Sequence, residues 1–321
     1  MEESSVIDTT VAQMLHTLGI EESKELSDNI GNFDVQIFKV FDFIPDLVLT
    51  IRSYVIKKKF THHFGNVQKF ENGIFFSFHN FFKDTSNNNS SHSLNEELPH
   101  VKIIPMNSSQ EYTFYKNTHM KHVGILVSID YLKRFLREDA AKFSDLLTCQ
   151  NSLVIEEFMS DDILRTINEI VNADNVSLSK FYFKLKAIEL LYFLFKRLDK
   201  RVQMTFHRLT RTEIQNLYKV RDRLIAQLDN APPLGELKNI AGMNEIKLRK
   251  SFIQVFGMGL YEYFQHIRMQ EAARLLREDN LTVSEAGYRL GFTNLSHFSR
   301  VFEASIGVKP KKWSMEKSIG S

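Results

Sequence analysis

The sequence predicts an α+β chain of 321 residues. A strand-rich, barrel-like domain is expected at 1–130, a helical region at 131–200, a linker at 201–211, and an all-α domain with two helix-turn-helix units at 212–321. Three observations predict this. The length exceeds what one hydrophobic core usually organises. The apolar period changes from strand-like to helical after Asp130. One arrangement of short helix, glycine turn and second helix occurs twice in the last third of the chain.

Composition narrows the class. With 43% hydrophobic and 25% charged residues the chain reads as globular, and 13 Gly with 6 Pro are too few for a fibrous protein. Its one cysteine, Cys149, has no internal disulfide partner. The start, MEESSVIDTT, lacks the basic and apolar regions of a signal peptide, and no run approaches the ~18 apolar residues of a membrane helix. A reducing cytoplasm and no membrane partner are therefore expected. Net charge is +2, but residues 211–321 carry 17 Lys+Arg against 12 Asp+Glu, and the rest carries 24 against 27. A basic C-terminal part joined to an acidic body that holds 21 of the 27 Phe suggests a polyanion-binding module carried by a sensing or assembly module.

Taken in order, FDVQIFKVFDF, PDLVLTIRSYVI and HVGILVSID read as strands, and the polar segment 84–97 reads as a surface loop. Asp130 is a candidate helix N-cap for YLKRFLREDAAKFSDLL, and Ser160-Asp161-Asp162 opens a further helix. The helix from Ser179 to Lys200 is apolar round much of its circumference, so it needs burial on two sides or a second protein. Leu191, Leu194 and Phe195 are the candidate dimer contacts of a homodimer formed there.

Thr212-Glu213-Ile214-Gln215 has the form of a helix start, and Pro232-Pro233 ends the segment that follows. In the first repeat LGELKNIA leads to Gly242 and then NEIKLRKSFIQVFG; in the second TVSEAGYRL, with Thr282 and Glu285 as a capping box, leads to Gly291 and then NLSHFSRVFEASIG. The first helix of such a unit needs a small residue where the second crosses it, and the glycine four positions later takes the positive φ of the turn. Gly287 and Gly291 fill both places, whereas the first copy has Lys238 at the crossing, with its stem expected along the helix edge.

Inward stripes through Leu248, Phe252, Val255 and Phe256, and through Phe298, Val301 and Phe302, leave two outer faces. One bears Ile246, Arg249 and Lys250; the other bears Leu295, Ser296, Ser299 and Arg300. Such faces suit base edges, phosphates and thymine methyl groups. Lys311 and Lys312, beyond the second unit, are candidate phosphate contacts. The 21 residues from Gly259 that join the units are expected to form one helix ~31 Å long, close to the ~34 Å turn of DNA.

With Arg268, Ala273, Leu276, VSEAGYRLGF, SHFSRVF and the closing Gly307-Val308-Lys309-Pro310 in view, residues 212–313 resemble the DNA-binding domain of the AraC/XylS family. Where that family usually has Ile-Ala before the second turn, this chain has Ala286-Gly287. The resemblance implies a transcription regulator on double-stranded DNA, most often an activator that touches RNA polymerase. It also implies a cupin-like N-terminal domain for an unidentified small-molecule effector and for dimerisation. The wording KLRKSFIQVFG is more similar to the siderophore-responsive, pyochelin-type branch than to the arabinose branch.

Two other classes compete with this reading. A cupin-type metalloenzyme would need two His one residue apart with a Glu shortly after; His62 and His63 are adjacent, and His79, His100, His119 and His122 fit no such block. Cys149 has no nearby basic residue to activate it. No catalytic residue, metal ligand or cofactor is therefore assigned. A constitutive DNA-binding protein without ligand control needs no N-terminal domain of this size.

Overall fold

A computed structural model describes residues 31–44, 46–64, 72–81, 98–106, 110–148, 154–201 and 209–315. Cys149, the 84–97 segment and most of the 201–211 stretch lie outside the described residues. The described residues form two compact units that divide between Leu209 and Thr210.

The first unit holds eight strands: β1 (Phe33–Ile44), β2 (Leu47–Ile56), β3 (Phe60–Phe64), β4 (Gly73–His79), β5 (His100–Pro105), β6 (Gln110–Phe114), β7 (His119–Ser128) and β8 (Ile155–Phe158). Six of them make an antiparallel sheet in the order β1-β2-β7-β4-β5-β8, and β3 pairs with β6 separately. Among the described residues the larger sheet has two edges, β1 and β8, and its ladder does not close into a ring. In β5 burial alternates with the pleat, Val101 and Ile103 inward and His100 and Lys102 half-open.

Among the described residues, α-helices α1 (Ile129–Leu136), α2 (Ser144–Leu147), α3 (Asp161–Val171) and α4 (Ser179–Leu198) accompany the sheet. The cap of α1 is Ser128 rather than Asp130, because its hydroxyl accepts from the Tyr131 N–H at 3.1 Å while donating to Asp46. Ser160 caps α3 as its sequence predicts. These helices cover one sheet face, where Ile51, Phe76, Phe78, Val101, Val123 and Ile125 meet Ile163, Ile167, Phe183 and Leu190.

That packing revises the dimer contacts. Leu191, Leu194 and Phe195 lie inside the same core, Leu191 and Leu194 at 0% exposure and Phe195 edge-on to Phe143 with ring centroids 4.9 Å apart. A second copy has no access to them. The apolar circumference of α4 resolves into this buried row and a separate outer row, Leu178, Phe181, Leu185 and Tyr192, which is exposed.

The second unit is helical: α5 (Arg211–Ile225), α6 (Leu234–Ala241), α7 (Glu245–Phe256), α8 (Leu260–Arg277), α9 (Val283–Arg289), α10 (Leu295–Ile306) and α11 (Pro310–Met315). The start of α5 falls two residues before the sequence reading. Thr210 and Glu213 make the capping box in place of Thr212 and Gln215, with Glu213 N–H donating to the Thr210 hydroxyl at 3.2 Å and Thr210 N–H donating to the Glu213 carboxylate at 2.8 Å. The connecting helix α8 has 18 residues, so it is ~27 Å long and shorter than the sequence suggested.

Candidate nucleic-acid interface

Each helix-turn-helix unit is set by its own residues. α6 ends at Gly242, φ +62°, and α7 opens on Asn244, whose side chain accepts from the Lys247 N–H at 2.9 Å. α9 opens on the expected capping box, Glu285 N–H to the Thr282 hydroxyl at 3.2 Å and Thr282 N–H to the Glu285 carboxylate at 2.8 Å. Gly291 has φ +74°, and a Cβ there would lie 2.0 Å from the Asp229 carbonyl oxygen, so conformation and space both demand glycine. Gly287 sits under the crossing helix, where a Cβ would approach Leu295 to 2.7 Å and Phe298 to 3.3 Å. Lys238, its counterpart in the first unit, is half-buried.

The stripes emerge as their spacing predicts, with one softening. Leu248, Phe252, Val255, Phe256, Phe298 and Phe302 are buried, while Val301 is only half-buried. On α7 the outer face carries Ile246, 70% exposed, with Arg249 and Lys250 also exposed. On α10 Ser296 and Arg300 are exposed, and Leu295 and Ser299 are half-buried near the edge. Lys311 and Lys312 are exposed in the first turn of α11, away from both helices in sequence.

The charges on these faces are partly engaged. Arg249 donates from Nε to Glu245 at 2.9 Å one turn back, an exposed pair whose loss costs only ~0.3–0.5 kcal/mol, so the guanidinium is easily redirected to an incoming base or phosphate. Lys247 bonds to Glu213, tying the start of α7 to the cap of α5. Lys247, together with the Thr210 backbone N–H, holds the Glu213 carboxyl below the usual carboxylate range.

Sequence reasoning gave no role to the residues that brace these helices. Arg268 of α8 is buried, donates from Nε to the Leu290 carbonyl oxygen at 2.8 Å, and stacks its guanidinium 3.9 Å from the Phe292 ring centroid. Trp313 of α11 donates from its indole N–H to the Ala273 carbonyl at 3.0 Å and lies 3.2 Å beneath the Arg277 guanidinium. The available signal was a cation inside the apolar stripe of α8, between Ile267 and Met269.

Residues 237–315 match a family model described as a helix-turn-helix domain. The regulatory protein PchR of Pseudomonas aeruginosa is 36% identical over 76 residues, 24% of this chain and 26% of that protein. The HTH-type transcriptional activator RhaR of Escherichia coli is 30% identical over 132 residues, 41% of this chain and 47% of that protein. The chain thus spans between about a quarter and a half of these curated relatives' length. Among solved structures, ToxT from Vibrio cholerae aligns over 84% of this chain and 98% of that one at 15% identity, with a TM-score of 0.31. From the family match and the two glycine-turned units, residues 237–315 are a helix-turn-helix domain, similar to those of the regulators PchR and RhaR.

Proposed function

We propose that the chain is a sequence-specific DNA-binding transcription regulator. In this reading α7 and α10 enter successive major grooves of double-stranded DNA, with Arg249 and Arg300 reading bases and Lys311 and Lys312 anchoring phosphates. The first unit binds a small-molecule effector and joins two copies through the outer row of α4. The protein works in the cytoplasm as an activator that touches RNA polymerase, as the curated relative RhaR is named an activator. The observation that carries the reading is the pair of outward faces, each mixing cations or hydroxyls with an apolar side chain, on helices joined by one continuous helix.

The test is binding of the full chain to a duplex selected from random sequence and to its scrambled form, across a salt series. A preference of about 10³-fold or more for the selected duplex is expected. Equal affinity for the two would remove the reading.

A further inference from the structure

The large sheet of the first unit has two unlike faces. One is the apolar floor beneath the helices. The other carries a line of basic side chains across four strands: Arg52 of β2 stands opposite His122 of β7, His122 opposite His79 of β4, and His79 opposite His100 of β5. Directly opposed residues of antiparallel strands project from the same face, and the next residue along each strand projects from the other. Ile51, Val123, Phe78 and Val101, the immediate neighbours, all lie in the helix-covered core. The rings follow the line, His79 lying 5.4 Å from both His100 and His122, and Tyr54 standing 5.5 Å from His122.

Two parallel rows continue this face. Thr50, Gly124, Ser77 and Lys102 are in register one pleat away, and Val48, Leu126 and Phe75 one pleat further. The face therefore passes from the arginine–histidine row to the apolar row over roughly 13 Å, at ~3.3 Å per residue. Its middle is tightly packed: the Thr50 and Phe75 side chains close over Gly124, where a Cβ would lie 2.6 Å from the first and 2.7 Å from the second.

Arg52 has no counter-ion among the described residues. Arg201, a buried arginine of this unit, pairs with Glu157 at 2.9 Å and donates to the Glu156 carbonyl at 2.7 Å. Arg52 has a buried Nε with no hydrogen-bond partner, lies over the Phe75 ring at 5.5 Å, and feels no carboxylate among the described residues. His122 is 6% exposed, and neither of its ring nitrogens has a hydrogen-bond partner. A guanidinium is protonated at any physiological pH and presents a planar fork suited to an oxyanion. Burial holds His79 and His122 well below the usual imidazole range, so each is a neutral ring with one N–H to donate. A metal ion is the lesser fit: the imidazoles stand in a line rather than around a point, and among the described residues no three donors converge on an ion.

We propose that this face is the effector site and that its ligand is a carboxylate with an apolar body. The head takes the Arg52 fork and an N–H from His122 or His79; the body lies against the half-buried Phe75 ring, over which the Arg52 guanidinium stands at 5.5 Å. The proposal rests on reading the first unit as an effector-binding sensor and adds the charge and orientation of the ligand.

The test uses the full chain, with hexanoate, octanoate and 3-phenylpropanoate as probes, each against its primary amide, followed by thermal unfolding and titration calorimetry. At least one acid is expected to raise Tm and to bind about tenfold or more tightly than its amide, the loss expected for a charge-assisted pair. Arg52→Met should abolish the preference while raising the Tm of the unliganded protein, because it removes an unpaired buried charge. Should that variant fail to fold, His122→Phe decides, with the acid bound about threefold or more weakly. Amides equal to acids, no acid bound at millimolar concentration, a retained preference in a folded Arg52→Met, or a lowered Tm for it would each overturn the proposal. Duplex binding measured on the same samples separates the two readings: if it is not sequence-specific, the regulator reading falls and the carboxylate result stands.

Discussion

The Arg268 guanidinium caps the Leu290 carbonyl oxygen, joining the connecting helix to the last turn of α9 next to Gly291. Leu290 is one of the carbonyls a helix end leaves without an intrahelical partner, and here a charged donor from another helix supplies it. The stack on Phe292 holds the fork in place. Arg268→Met should lower stability by ~1.5–3 kcal/mol, the value of a charge-assisted bond to a buried acceptor. Lysine should not restore it, because a single ammonium neither forks nor stacks in the same way. Urea unfolding of the three proteins checks this; a fully stable lysine variant would argue against the fork.

Readout and anchoring should separate on the second unit. On the regulator reading, Arg249→Ala should cost ~1–3 kcal/mol on the selected duplex and blur preference at particular base pairs. Lys311→Ala should weaken all duplexes alike and flatten the salt slope by about one unit. Glu245→Gln releases Arg249 from its exposed pair and should leave affinity unchanged or raise it. Indistinguishable behaviour of Arg249→Ala and Lys311→Ala across scrambled and selected duplexes would withdraw the base-reading role.

On α4 the two apolar rows make opposite predictions. Leu191→Glu places a carboxylate in a closed core and should unfold the first unit, whereas Leu185→Glu, at a position 50% exposed, should leave it folded. If the outer row joins two copies, sedimentation should find a dimer that Leu185→Glu or Phe181→Glu turns into a monomer. Dimers persisting in both folded variants would place the contact elsewhere.

The histidine row predicts a pH dependence. His79 and His122 are held well below the usual imidazole range by burial, while in the unfolded chain they titrate near ~6.5. Below that value the unfolded chain binds protons that the folded chain does not, so stability is full above about pH 6.5 and falls as the pH drops beneath it. His122→Phe should remove part of that slope in urea unfolding measured from about pH 5 to about pH 8. A wild-type slope unchanged by the substitution would assign the titration to other groups.

The second unit was legible because its determinants are local. Thr282 with Glu285, Gly287 with Gly291, and the Phe298 and Phe302 stripe all act within a few residues of one another, at spacings a helix dictates. The first unit was legible as strands followed by helices, but not in how its strands pair. Its histidine line depends on β7 lying between β2 and β4, a pairing of segments far apart in the chain that no periodicity encodes. For the same reason Phe75, Phe76 and Phe78 read as one aromatic segment but divide between faces, Phe76 and Phe78 into the core and Phe75 onto the polar side. On α4 the excess of apolar surface was visible, but which row the sheet takes was not, since that is settled by tertiary packing.

The single helix α8 between the two units also limits what grammar a target can have. With no loop inside its 18 residues, the two reading heads are phased by a rigid rod, not a tether. On the regulator reading, adding one base pair between the two contacted elements turns the second away by ~34°, which a stiff connector cannot follow. Binding sites for one copy should therefore vary in letters but hardly at all in spacing.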